Sequence, residues 1–177
     1  LNIKINCQVI ECSAVGAYNA VSTTYKKTIY DTTINNDKKH IFYLHFGVNN
    51  LINIFNLEYQ AYNEVYFKIP DVLGHQPQHE QISSLLPIDS TLCTDIPVDK
   101  LVTQLKNLDY QVARSNSAGR YVCNWTYFHS LSHASYIIHP NSHALFIHVP
   151  EFKHQKKEIH LNFTKDLLHL IVQHYRK

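Results

Sequence analysis

The chain has 177 residues, a length that suits one globular domain, residues 1–177, with a hydrophobic core. Its 16 basic and 14 acidic residues leave a net charge of +2, which gives no case for nucleic acid or a membrane surface as partner. No apolar run approaches the roughly 18 residues that a membrane-spanning helix needs, so we expect no membrane partner.

The first third of the chain alternates between two hydrophobic periods. Residues 3–12 place apolar side chains at every second position, which predicts a strand. Residues 16–30 repeat apolar side chains at steps of three and four, which predicts a helix. The apolar run at 40–46 predicts a buried strand, and the aromatic and β-branched residues of 53–69 predict an extended segment that carries Glu58.

A long irregular stretch at 71–97 comes next, and loops of this length in compact domains are often functional. The remaining predicted elements are a helix at 98–108, a strand at 110–113, a helix that carries Cys123, a loop at 136–141, a strand at 145–149 and a helix at 161–175. Strands that alternate with helices predict a three-layer α/β/α domain around a central, mostly parallel (mixed) sheet.

Cys123 follows a polar, small-residue loop and lies in the first turns of its predicted helix. A helix N-terminus and a nearby imidazolium both favour the thiolate, and first-turn amides can form an oxyanion hole. Ser115 or Ser117 could cap the helix, and Gly119 would let the backbone pass close to a substrate. The alternative is a buried structural cysteine, since free cysteine packs as a small hydrophobe.

His148 lies at the end of a predicted strand, where its imidazole can serve as the base for the Cys123 thiol. Glu58 can supply the third, orienting group. Taken singly, His148 is also typical of a core histidine, and Glu58 of an exposed strand residue.

Three other patterns involve potential ligands or modification sites. The pairs His129/His133 and His75/His79 have helical spacing, but neither has a third ligand close by, so we expect no metal and no cofactor. The four cysteines follow neither a zinc pattern nor a dense disulfide framework, which favours reduced thiols in a cytoplasmic protein. Asn124 begins a glycosylation sequon within the predicted Cys123 helix, which we interpret as a chance match.

Five short segments occur in a fixed order along the chain. They are His-Phe-Gly-Val at 45–48, Leu57-Glu58 with Ala61 and Asn63 following, Ile-Pro-Asp at 69–71, Ser-Asn-Ser-Ala-Gly-Arg-Tyr-Val-Cys-Asn at 115–124 and Phe-Ile-His-Val-Pro at 146–150. Together they resemble the pyroglutamyl peptidase I (pyrrolidone-carboxylate peptidase) family of cysteine peptidases, over nearly the whole chain. The variants at 119–121 and 126–131 are similar to those of the animal-type members.

This resemblance implies a pyroglutamyl-peptidase-like fold and hydrolysis of the amide bond after an N-terminal pyroglutamyl residue of a peptide substrate. Cys123 would attack the carbonyl, His148 would move the proton and Glu58 would hold the imidazole. The substrate-binding positions that it implies are Lys68, Ile69, Tyr121 and Val122. It implies neither metal nor cofactor.

The chain also departs from the family pattern. Family members begin with a core strand and a Gly-Phe-Gly-Pro-Phe loop that supplies aromatic side chains to the pocket, and neither has a counterpart here. We therefore expect an N-terminally incomplete member that lacks its first strand and leaves neighbouring strands unpaired. Lys68 stands where bacterial members usually carry arginine, and the two are not interchangeable at a site needing planar hydrogen bonds.

Two other functions remain open. One is a catalytically silent or truncated member that acts as a non-enzymatic protein, and the other is a thiol amidohydrolase acting on a different small acyl group. The oligomeric state, monomer or homo-oligomer, is not set by the sequence.

Overall fold

A computed structural model describes residues 3–35, 39–136 and 141–176 of the chain. In chain order the elements are α1 (Ala14–Asn35), β1 (Ile41–Val48), β2 (Phe55–Glu58), β3 (Gln60–Tyr62), β4 (Glu64–Tyr66), β5 (Gln78–Gln81), β6 (Thr91–Cys93), α2 (Val98–Lys106), β7 (Val112–Ser115), α3 (Val122–Tyr136), β8 (Ser142–Val149) and α4 (Lys157–His174).

The central sheet has four strands in the order β1-β8-β2-β7. Strands β1 and β8 are parallel over their whole length, and β2 and β7 are parallel to each other. Strands β2 and β8 are antiparallel, with Glu58 opposite Phe146 and Asn56 opposite His148. The sheet is therefore mixed, as predicted.

Helices cover both faces of this sheet, because alternate side chains of each strand point to opposite layers. On one face, Leu57 and Ile147 pack with apolar residues of α2 and α4. On the other face, Tyr43 and Phe146 pack with residues of α1 and α3. The predicted α/β/α architecture is confirmed, and no helix in the described ranges is both long and apolar enough to span a bilayer.

The strand predicted at residues 3–12 is wrong. This segment has no regular secondary structure, and Ile5 and Val9 are exposed. The segment runs beside α1 instead, where the Gln8 side chain donates to the Thr24 hydroxyl. An alternating pattern yields a strand only where another strand supplies backbone partners and a buried face, and no strand of the described residues pairs with this segment.

Two short strands lie inside the stretch that was predicted to be irregular. Strand β6 pairs with β3, and β5 pairs with β4 across a bulge. All four side chains of β5 are polar and exposed, so hydrophobic periodicity carries no signal for it. The predicted loop at 136–141 falls mostly on residues 137–140, which lie outside the described residues.

Strand β1 forms one edge of the central sheet, and among the described residues it pairs only with β8. Among the described residues, one edge of β1 therefore has no strand partner. The expectations of a missing first strand and of one domain over 1–177 stay predictions.

Candidate active site

Glu58 and His148 face the layer that contains α3. On β2, Phe55 and Leu57 point to the α2 and α4 side, so Glu58 points to the opposite side. On β8, Phe146 packs against α3, and His148 lies two residues further on the same face. The antiparallel register makes Glu58 and His148 diagonal neighbours.

The two side chains form a buried hydrogen bond. His148 Nδ1 lies 2.8 Å from Glu58 Oε1, and the side chains are 6% and 1% exposed, respectively. A carboxylate only accepts hydrogen bonds, so with Glu58 ionised the Nδ1–H group donates and Nε2 is left as the acceptor. This arrangement fixes the ring orientation and the tautomer that a general base requires.

Cys123 lies in the first turn of α3 above the same region of the sheet. A methyl group on Gly47 would stand 3.2 Å from the Cys123 sulfur and 2.7 Å from the Phe146 ring. Gly47 is opposite His148 in the β1–β8 register. The backbone of β1 therefore passes directly beside the nucleophile, and only a glycine leaves room for that approach.

Burial raises the pKa of the Cys123 thiol to about 12, and the charges of Cys12 and Glu58 add to the effect. This differs from the expectation of a depressed thiol pKa. A hydrogen bond from the Cys123 backbone favours the thiolate, but loss of solvent around the sulfur outweighs this effect on the pKa. Near neutral pH the resting form of Cys123 is therefore the neutral thiol.

The loop before α3 differs in detail from its predicted form. The helix begins at Val122, so neither predicted serine is next to its start. Ser115 ends β7, and its hydroxyl accepts the Ser117 backbone N–H, as in a tight turn. Gly119 has a positive φ of 79°, which a glycine adopts without strain.

The residues predicted to bind substrate have different environments. The Tyr121 hydroxyl donates to the Pro70 carbonyl at 3.1 Å. Ile69 is 66% exposed, and Lys68 is exposed too. Val122 is buried with Val65 in the core, so its side chain does not face solvent. The structure thus brings Tyr121 and the 69–71 turn together just before the start of α3, the helix that carries Cys123.

Asp71 holds that turn against the start of α1. Its carboxylate accepts backbone N–H groups of Ala14, Leu73 and His75 at 2.9 to 3.0 Å. Those hydrogen bonds keep the pKa of Asp71 below its usual value, although burial acts in the opposite direction and is the largest single influence. Asp71 therefore anchors the turn that carries Ile69. It belongs to the Ile-Pro-Asp motif, but the sequence pattern gave it no role.

Two further residues went unrecognised in the sequence. Asn124 is fully buried, and its amide bonds the backbone of Tyr62 and Glu64. Tyr127 is fully buried, and its hydroxyl donates to the Glu58 carbonyl. Asn63 belongs to the segment that resembles the family's glutamate motif. Its side-chain amide donates to backbone carbonyls of the loop at 83–87 and anchors that loop. Asn124 and Tyr127 share a helix with Cys123, and this is the one signal in the sequence that could have identified them.

The histidine pairs have other roles in the described structure. Burial lowers the pKa of His129 to about 4, where the ring packs on Trp125, and His133 stacks on Tyr25. His79 bonds the Glu64 carboxylate at 2.7 Å. Within residues 3–35, 39–136 and 141–176, no group of three His, Cys, Asp or Glu side chains is arranged to hold a metal ion. A depression of about 410 Å³ lies beside the start of α2, and no triad side chain lines it.

Comparison with known proteins places the chain in a family. The family model described as pyroglutamyl peptidase matches residues 3–163. The chain is 34% identical over 95 residues to the pyrrolidone-carboxylate peptidase of Bacillus subtilis, covering 54% of this chain and 43% of that protein. It is 29% identical over 129 residues to that of Pyrococcus furiosus, covering 73% and 60%, respectively. The chain spans about half the length of the curated relatives it matches.

Solved structures share its fold. A pyrrolidone carboxyl peptidase variant from Pyrococcus furiosus superimposes with a TM-score of 0.81 at 22% identity, covering 97% of this chain and 86% of that one. The pyrrolidone carboxyl peptidase of Fervidobacterium islandicum AW-1 superimposes with a TM-score of 0.77 at 22% identity, covering 99% and 83%. The family model matches nearly the whole length of the chain, so the chain belongs to the pyroglutamyl peptidase family.

Proposed function

We propose that this chain is a cysteine peptidase that hydrolyses the amide bond after an N-terminal pyroglutamyl residue. The observation that carries the proposal is the buried 2.8 Å hydrogen bond between His148 and Glu58 on the sheet face beneath Cys123. A buried imidazole held by a carboxylate near a thiol is the arrangement that nucleophilic catalysis requires. Family membership supplies the reaction class.

In the first step His148 Nε2 takes the proton of the Cys123 thiol as the sulfur attacks the pyroglutamyl carbonyl carbon. The raised thiol pKa supports this order of events, because a neutral thiol gains most from a base at the moment of attack. Glu58 stabilises the imidazolium that results. A carbon–sulfur bond forms, and the carbonyl oxygen becomes negatively charged.

The backbone N–H groups at residues 121–123 stabilise that oxyanion. The first N–H groups of a helix have no partner within the helix, and they point along its positive end. The carbon–nitrogen bond then breaks, and the imidazolium gives its proton to the leaving amine. Water, deprotonated by His148, hydrolyses the thioester and releases pyroglutamate and the free thiol.

The 69–71 turn and Tyr121 form the wall that receives the pyroglutamyl ring. That ring is an uncharged lactam, so an apolar wall with a few amide partners suits it. Ile69 offers its exposed side chain, and Val122 takes part through its backbone because its side chain is in the core. The side chain of Lys68, next to Ile69, is exposed and could reach a bound peptide.

We also propose a cytoplasmic setting, with peptides rather than nucleic acid or membranes as partners. All four cysteines are free, with Cys123 half-buried and the other three exposed. The mechanism needs a reduced thiol, and a reducing compartment maintains it.

The proposal is tested by the release of a fluorophore from a pyroglutamyl amide by this chain. We expect activity in the parent and none in Cys123→Ala or His148→Ala. A prolyl amide, which has the same ring without the lactam carbonyl, serves as the control substrate and should stay intact. A folded parent without pyroglutamyl activity would contradict the proposal and favour a catalytically silent member.

A further inference from the structure

Tyr127 lies one helical turn after Cys123, on the face of α3 that meets the sheet. Its side chain is fully buried, and its hydroxyl donates to the backbone carbonyl of Glu58 at 2.8 Å. The helix that carries the nucleophile is thus bonded directly to the main chain of the residue that orients the base.

The same side chain also contacts the strand that carries His148. Its ring packs against the ring of Phe146 on β8. Phe146 is opposite Glu58 in the β2–β8 register and lies two residues before His148. The Tyr127 side chain therefore lies where α3, β2 and β8 meet, the elements that carry Cys123, Glu58 and His148.

We propose that Tyr127 is a positioning residue whose hydroxyl sets the place of Cys123 relative to the Glu58–His148 pair. This inference rests on the proposed peptidase function. The ring packs against the Phe146 ring at a centroid distance of 5.9 Å, so a phenylalanine would fill the same volume. Loss of the hydroxyl alone would leave the buried Glu58 carbonyl without this donor and let α3 shift against the two strands.

Tyr25 provides a matched control. It is 1% exposed, and its hydroxyl also donates to a backbone carbonyl, that of Ser130, at 2.9 Å. That carbonyl belongs to α3, so this hydrogen bond links Tyr25 to α3 and not to β2 or β8. Tyr127→Phe and Tyr25→Phe therefore each remove one buried hydroxyl of the same chemistry, but only Tyr127→Phe removes a link between α3 and the triad strands.

The first readout is kinetic. We expect Tyr127→Phe to lower kcat by about 10-fold while KM stays within about twofold, because small misplacements of reacting groups cost rate rather than binding. We expect Tyr25→Phe to keep the parent kcat, although urea denaturation should show that both variants lose similar stability. Equal kcat in the two variants, whether retained or lowered, would overturn the proposal.

The second readout does not depend on peptidase activity. The His148 Nδ1–H proton bonded to Glu58 should give a downfield proton resonance, assigned by its absence in His148→Ala. We expect this resonance to move or broaden in Tyr127→Phe and to stay in place in Tyr25→Phe. The same spectrum in both variants would overturn the proposal. A parent that lacks activity would refute the proposed function, and the resonance would still decide the role of Tyr127.

Discussion

Glu58 and His148 are 90 residues apart in the chain, yet their side chains share a 2.8 Å hydrogen bond in the interior of the protein. Exposed ion pairs contribute little, because water screens them and their side chains lose freedom. This pair is buried, so removing one member leaves the other without compensation. Because the pair lies on the sheet face beneath Cys123, its proposed role in catalysis is the first one to test.

Glu58→Gln should therefore lower kcat by about 10²- to 10⁴-fold, because a glutamine can donate to His148 Nδ1 and hold the unproductive tautomer. The measurement is kcat on a pyroglutamyl amide, with circular dichroism to establish folding. Glu158→Gln, at an exposed position in the first turn of α4, is the control and should match the parent. A folded Glu58→Gln variant with the parent kcat would remove Glu58 from the mechanism.

Cys123 should react slowly with iodoacetamide at neutral pH in the absence of substrate. Its thiol is half-buried and has a pKa raised to about 12, first by burial and then by the charges of Cys12 and Glu58. Only the thiolate alkylates, so labelling of Cys123 should lag behind that of the exposed Cys7 and Cys93.

Mass spectrometry of timed samples gives the labelling rate of each cysteine. The rate at Cys123 should rise with pH well into the alkaline range. If Cys123 were instead the first site labelled at pH 6, a preformed thiolate–imidazolium pair would replace the neutral thiol as the resting state.

Asn124→Ala should lower the free energy of unfolding by about 1–3 kcal/mol, because it leaves three partly buried backbone groups of Tyr62 and Glu64 without this partner. Asn162→Ala, at an exposed position in α4, should change the free energy of unfolding little. Urea unfolding of the two variants and the parent measures the difference. Equal stability of the two variants would show that the Asn124 amide does not hold β3 and β4 to α3.

The stability of the protein should fall as the pH drops from about 6.5 to about 4. Burial lowers the pKa of His45 to about 4, while its ring bonds the Ser130 hydroxyl at 2.8 Å. In this window the unfolded chain binds a proton at His45 and the folded chain does not, so acid favours unfolding. The limiting slope is about 1.4 kcal/mol per pH unit for each such histidine.

Urea unfolding at several pH values tests this dependence, with His45→Gln compared against the parent. We expect a shallower pH dependence in the variant, but not a flat one, because His129 is shifted in the same direction. His154→Gln, at an exposed position, should keep the parent slope. A parent slope in His45→Gln would place the acid sensitivity elsewhere.

The parts of the fold that were predicted correctly depend on local hydrophobic patterns. Strand β8 and helix α2 show their buried faces in the sequence, because the same side chains that form the pattern form the core. Residues 3–12 show a pattern as well, but pairing depends on which strands lie nearby, and that is not encoded locally. Strand β5 has only exposed polar side chains, so nothing in its composition distinguishes it from a loop.

The candidate site divides in the same way. The residue types at positions 58, 123 and 148 are visible in the sequence, and the structure places Glu58 against His148. The state of the Cys123 thiol was not predictable, since it depends on burial and on the charges of Cys12 and Glu58, which only the fold brings near. The Tyr127 hydroxyl is similar, because its acceptor is a main-chain carbonyl that any residue would supply.

The antiparallel register of β2 and β8 has a consequence for refolding. Side chains alternate between layers at each residue, so a slip of one position between these strands would turn Glu58 away from His148. A slipped sheet would keep much of its secondary structure, and circular dichroism would score it as recovered. An assay that depends on the Glu58–His148 contact would instead count only molecules with native strand pairing, so the two recovery curves together would measure the fraction of misregistered protein.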